Sequence, residues 1–221
     1  MLLRLKSCLL NLLLFAALLS SLGASAQVER FVEGVHYSAL PDLAYARTLD
    51  ETAGKVDVME IFWYGCGHCY AFDPLLESWA DAQAASINFS RSPLMVWSAV
   101  NKQHARLFFA AQQLDKINEL HSIIFTEIQE RRNPLADEQT AAALFAGHGV
   151  LPADFANAYN SFAVDTLLRK AETMQKEIRI PSVPVMIVSG KYRVEVNDAV
   201  TSHEAMLEVV EFLVSKEKTA S

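Results

Sequence analysis

The chain has 221 residues, 19 of them Lys or Arg and 26 Asp or Glu, for a formal net charge of −7. A hydrophobic share of 52% excludes a disordered chain. The acidic balance, with no Lys/Arg cluster, excludes the phosphate-binding surface that nucleic acid requires.

Arg4 and Lys6 precede an apolar stretch from Leu9 to Leu22, and Ala24-Ser25-Ala26 has the small–x–small pattern of a signal peptidase site. The apolar run is shorter than the ~20 residues of a membrane-spanning helix. Residues 1–26 therefore read as a cleaved signal peptide, which takes Cys8 and two cations with it. The expected product is an acidic exported protein in an oxidising compartment, with two cysteines, Cys66 and Cys69. Two cysteines three positions apart staple almost nothing, so their value must be chemical.

Val56 to Tyr64, rich in β-branched and aromatic residues, predicts a buried strand. Gly65 follows, and Cys66-Gly67-His68-Cys69 opens a segment to Ala85 with Leu75, Leu76, Trp79 and Ala82 at helical spacing. Pro74 lies inside that helix and predicts a kink. Ile87 to Arg91 alternates as a second strand. From Ser98 to about Glu177 the periodicity is helical throughout, over His104–Leu114, Ile117–Ile128, Glu138–Phe145, Pro152–Tyr159 and Phe162–Lys176. Val185–Val188 and Lys191–Glu195 then predict a hairpin across Ser189-Gly190. Thr201-Ser202-His203-Glu204 has capping-box spacing and announces a last helix. This order predicts one α/β domain carrying a helical insertion.

A C-x-x-C pair between a buried strand and a helix points to a redox-active dithiol. The first cysteine lies at the helix N-terminus, where the dipole and free N–H groups stabilise a thiolate. The second lies one turn later, close enough to close a small disulfide ring. His68 adds charge or hydrogen bonding to the Cys66 sulfur and favours the reduced form, which makes the disulfide a better oxidant. Zinc would need four ligands, and neither a second C-x-x-C nor an H-x3–5-H pair exists, so no metal is expected. An inert structural disulfide of so small a loop would offer little unfolded-state entropy.

Glu60, in an otherwise apolar strand six residues before Cys66, has two readings. It is either half-exposed at a strand edge, or a buried acid with a raised pKa beside the thiols. Asp73 either modulates the site or lies on a solvated helix face. Single histidines elsewhere, and Phe108, Phe109 and Phe145, read as packing or surface residues. Trp63 and Tyr64 read either as packing or as part of a surface that receives unfolded chains.

Glu60-Ile61-Phe62-Trp63-Tyr64-Gly65-Cys66-Gly67-His68-Cys69-Tyr70-Ala71-Phe72, followed far downstream by Val183-Pro184-Val185-Met186-Ile187-Val188-Ser189-Gly190-Lys191-Tyr192, resembles the DsbA family of thiol:disulfide interchange proteins. The resemblance covers essentially the whole chain after the leader. It implies a thioredoxin fold with an all-helical domain inserted between the βαβ half and the ββα half. The segments would be residues 27–97, the insertion 98–177, and 178–221. Cys66 would be the exposed nucleophile, Cys69 the buried resolving cysteine, and Glu60 the acid exchanging protons with Cys69, with Arg91 its basic partner. Val183-Pro184 would be a cis-proline loop whose Val183 backbone pairs with an extended substrate; the residues alone leave the isomer open.

The resemblance further implies a periplasmic enzyme, with no dissociable cofactor, that donates its disulfide to reduced exported proteins and is reoxidised by a DsbB-type membrane partner. A monomer is expected, since no separate dimerisation segment is visible. One departure matters. Many family members carry Pro-His between the cysteines, whereas Gly67-His68 is the dipeptide of protein disulfide isomerases, which leaves the direction of electron flow open. The rival readings are a reductase or isomerase and a non-redox binder of unfolded chains.

Overall fold

The structure is a computed structural model that describes residues 29–42 and 54–220. The expected signal peptide, residues 1–26, lies outside the described residues.

Strand β1 (Ser38–Ala39) precedes β2 (Val56–Phe62), a strand covered on both faces. Helix α1 (Gly67–Ala82) then crosses over to β3 (Ile87–Pro93), which runs parallel to β2 with Val56 opposite Ile87 and Glu60 opposite Arg91. The helix runs on through Pro74. Five helices follow before the chain rejoins the sheet: α2 (Ala99–Gln113), α3 (Ile117–Gln129), α4 (Glu138–Gly147), α5 (Pro152–Tyr159) and α6 (Phe162–Ile178). Strands β4 (Val185–Val188) and β5 (Tyr192–Val194) form the hairpin, and α7 (His203–Ala220) closes the chain. The sheet order is β1-β5-β4-β2-β3, with β4 antiparallel to β2 and to β5. A βαβ unit and a ββα unit sharing one sheet, with helices between them, is the expected thioredoxin fold with a helical insertion.

Local chemistry sets the element ends. Ser98, Asp137 and Ser161 each accept a backbone N–H from three residues on, capping α2, α4 and α6. The Ser98 cap starts α2 at Ala99, five residues before the expected His104. Pro152 stands at the first turn of α5, where its missing N–H costs nothing. After α4 the chain turns at Gly149, whose φ of +80° is open to glycine at little cost. The last helix is capped by Ser202, whose Oγ accepts Ala205 N–H at 3.1 Å, and not by Thr201 as the capping-box spacing suggested.

Three apolar clusters share the sheet. Val58, Met186, Val188 and Val194 pack with Phe72 and Leu76 of α1 and with Met206, Val210 and Leu213 of α7. Ile61, Val185 and Ile187 pack on the other face with Met174 and Ile178 of α6. The third cluster fills the helical block around Phe108, Phe125, Phe145 and Phe155, and it takes in Phe62, Tyr64 and Cys69. The C-x-x-C segment therefore lies where the helical block meets the sheet.

Candidate active site

β2 ends at Phe62 rather than at Tyr64, because the next two side chains turn toward the helical block. Trp63 donates its indole N–H to His104 Nδ1 at 2.9 Å, and Tyr64 O–H meets His121 Nδ1 at 2.9 Å. Gln129 Nε2 donates to the Tyr64 carbonyl at 2.7 Å. Gly65 is required by this arrangement, since a Cβ there would stand 2.3 Å from the Trp63 ring.

Cys66 is the N-cap of α1. Its sulfur accepts Cys69 N–H at 3.3 Å, a place usually held by a Ser or Asp oxygen. Cys66 is half-buried, Cys69 is fully buried, and both are free thiols. The hydrogen bond from the Cys69 thiol, the N–H groups of Cys69 and His68, and the His68 charge together lower the Cys66 pKa from 9.0 to about 6, against the opposing effect of burial. Burial, followed by the adjacent Cys66 sulfur, holds the Cys69 thiol well above its ordinary value. His68 itself is exposed and acts on the sulfur from the solvent side. The Val183–Pro184 bond is cis, and Cys66 S–H donates to the Val183 carbonyl at 3.4 Å across 117 residues of chain. The two distant motifs thus meet at one sulfur.

Glu60 is 1% exposed, which removes the strand-edge reading. The parallel register puts Arg91 beside it, with Nε donating to Glu60 Oε2 at 3.2 Å. Burial raises the Glu60 pKa from 4.5 to about 8, with Arg91 opposing and Asp73 adding to the rise. Asp73 is also buried and not on a solvated face; its Oδ1 accepts from Arg91 Nη2 at 3.0 Å and meets His121 Nε2 at 3.1 Å. Tyr64 is fully buried, so it forms no part of a client-facing surface.

His104, His121 and Gln129 went unmarked in the sequence because they act from helices 41 to 65 residues away from the loop they hold. Nothing in their own surroundings announces that contact. Among the described residues, no group of three or more His, Cys, Asp or Glu is placed to hold a metal ion, and no helix is long and apolar enough to cross a membrane.

A thiolate-stabilising helix cap, a buried partner thiol and a facing cis-proline on this fold define a dithiol–disulfide oxidoreductase. Residues 76–207 match the DSBA-like thioredoxin domain family. Thiol:disulfide interchange protein DsbA of Pseudomonas aeruginosa is 32% identical over 216 residues, covering 96% of this chain and 98% of that one. The protein of the same name from Pseudomonas syringae pv. tomato is 34% identical over 217 residues, covering 96% and 97%. Among solved structures, that of Pseudomonas aeruginosa DsbA superposes with a TM-score of 0.79 at 30% identity, over 87% of this chain and 97% of that one. The oxidoreductase DsbA from Xylella fastidiosa gives 0.75 at 30% identity, over 83% and 96%. The chain belongs to the DSBA-like thioredoxin family, and it is a thiol:disulfide oxidoreductase.

Proposed function

We propose that the protein works in the periplasm, reached through a cleaved signal peptide, and donates the Cys66–Cys69 disulfide to reduced exported proteins. The observation that carries the direction is the unequal pair of thiols. With Cys66 near 6, about ten thiolates stand for each thiol at pH 7, while Cys69 keeps its proton. A stabilised reduced form makes the disulfide a stronger oxidant.

The cycle follows from these positions. A client thiolate attacks Cys66 Sγ, the Cys66–Cys69 bond breaks, and Cys69 leaves as a thiolate that takes the Glu60 proton. The Val183 backbone pairs with the extended client beside the mixed disulfide. The client's second thiolate then attacks its own sulfur in that mixed disulfide, forming the client disulfide and releasing Cys66 as the thiolate. Two electrons have passed from client to enzyme. A DsbB-type membrane partner reoxidises the dithiol, and Cys69 returns its proton to the Glu60 carboxylate. No dissociable cofactor enters.

The Gly67-His68 dipeptide keeps a reductase or isomerase as the second reading. The equilibrium reduction potential of the purified protein in glutathione buffers separates them. A value near or above roughly −180 mV, that of protein disulfide isomerase, supports client oxidation; one near the ~−270 mV of thioredoxin overturns the donor assignment. Cys66→Ser removes the third reading, since a pure binder would keep its activity and an oxidoreductase loses it.

A further inference from the structure

His121 stands at the centre of a buried polar chain that begins at the active-site loop and ends at Glu60. It is 2% exposed, and the rings of Phe62, Phe108 and Phe125 pack edge-on around it with centroids at 5.0, 6.0 and 5.1 Å. Such a cage disfavours the imidazolium, and burial lowers the His121 pKa. A neutral imidazole carries one N–H. Asp73 Oδ1 already accepts from Arg91 at 3.0 Å, and a carboxylate can only accept. The imidazole N–H therefore lies on Nε2, 3.1 Å from that oxygen, and Nδ1 receives Tyr64 O–H.

The titratable and charged groups of this network are Glu60 from β2, Tyr64 from the loop, Asp73 from α1 and Arg91 from β3, with the Cys66 and Cys69 sulfurs facing Glu60. Glu77 lies beyond them, half-exposed, 3.7 Å from Arg91. One guanidinium thus serves two buried carboxyls, and burial of an uncompensated second negative charge is costly. One carboxyl must hold a proton. Among the described residues, Glu60 receives one side-chain donor, Arg91 Nε at 3.2 Å, whereas Asp73 receives two. The second donor is His121.

We propose that His121 is a positioning residue that decides where this proton resides: by donating Nε2–H to Asp73 it keeps Asp73 a carboxylate and makes Glu60 the carboxyl that holds the proton for Cys69. The inference rests on the Glu60–Cys69 exchange of the proposed cycle and deepens it. In that step the Glu60 O–H bond breaks and the Cys69 S–H bond forms; when the dithiol is reoxidised the S–H bond breaks and the proton returns to the Glu60 carboxylate. His121 neither gains nor loses a proton. Its contribution comes from a helix of the insertion, so the helical block helps set the protonation of the sheet's buried acid.

The test is carbon-13 NMR of the labelled carboxyl groups in the purified, oxidised protein, titrated from acid to alkaline pH without any client. In the wild type, Glu60 titrates in a single step well above the ordinary carboxylate range. In His121→Leu the two carboxyls compete nearly equally for one proton, and the upper Glu60 step falls to roughly half its amplitude. His121→Gln, whose amide N–H can reach Asp73, restores the single step. A merely structural histidine would lower stability in both variants and leave the Glu60 curve unchanged. Asp73→Asn serves as the second variant should His121→Leu not fold: it keeps an acceptor oxygen, removes the competing charge, and moves the Glu60 midpoint down. An unaltered Glu60 curve in His121→Leu, or in Asp73→Asn, overturns the inference. A wild-type Glu60 that titrates as an ordinary carboxyl overturns the exchange reading and this inference with it. The donor assignment stands or falls separately, on the reduction potential.

Discussion

Replacing Glu60 with Gln tests the buried acid through stability. The folded protein holds the Glu60 proton up to about pH 8, whereas the unfolded chain releases it near 4.5. Between those values the native state binds more protons than the unfolded state, so this group lowers stability as pH rises, by about 1.4 kcal/mol per pH unit. From pH 4.5 to 7 the loss amounts to roughly 3 kcal/mol. Gln matches the protonated carboxyl in size and keeps an acceptor for Arg91 Nε. The variant should equal the wild type near pH 4.5 and exceed it by on the order of 3 kcal/mol at pH 7, with the gap levelling off above pH 8. Urea denaturation of both proteins, oxidised, at pH 5, 6, 7 and 8 reads the difference directly. Two stability curves that run parallel across this range would refute the assignment of a proton-holding Glu60.

Thiolate absorbance of the reduced protein should titrate with a midpoint near 6 for Cys66, with Cys69 silent through alkaline pH; a single midpoint close to that of a free thiol, ~8.5, would contradict the capped thiolate. Gly65→Ala drives a Cβ to 2.3 Å from the Trp63 indole, which His104 holds by its N–H, and is expected to cost about 1–3 kcal/mol in chemical denaturation. Gly67→Pro should fold, because residue 67 opens α1 and a Cβ there meets only Gln129 Oε1 at 3.8 Å. The sulfur's backbone donors belong to His68 and Cys69, so none is lost. That substitution is expected to raise the reduction potential in glutathione buffers, and an unchanged value would show that the residue between the cysteines does not set it.

Much of this protein is legible in its sequence, because the relevant signals are local. Strand and helix periods and a C-x-x-C at a strand-to-helix junction all reflect interactions within a few residues. They place Cys66 as the capped thiolate, because the helix N-terminus that stabilises it is built from its own neighbours. Val183-Pro184 could be joined to that site only through the family resemblance, since 117 residues separate the Cys66 sulfur from the carbonyl that receives it.

The two readings of Glu60 and of Asp73 were undecidable in one dimension. A carboxyl's pKa depends on what excludes water from it and which charges face it, and those groups come from β3, α1 and the helical insertion. The parallel register of β2 and β3 brings Arg91 to Glu60, and the docking of α3 brings His121 to Asp73. The sequence by itself determined the fold class and the reacting sulfurs, which follow from short-range pattern. Only the tertiary structure decided which acids are buried, which of them keeps a proton, and which distant histidines hold the loop, because desolvation and shared hydrogen bonds exist only once the layers have packed.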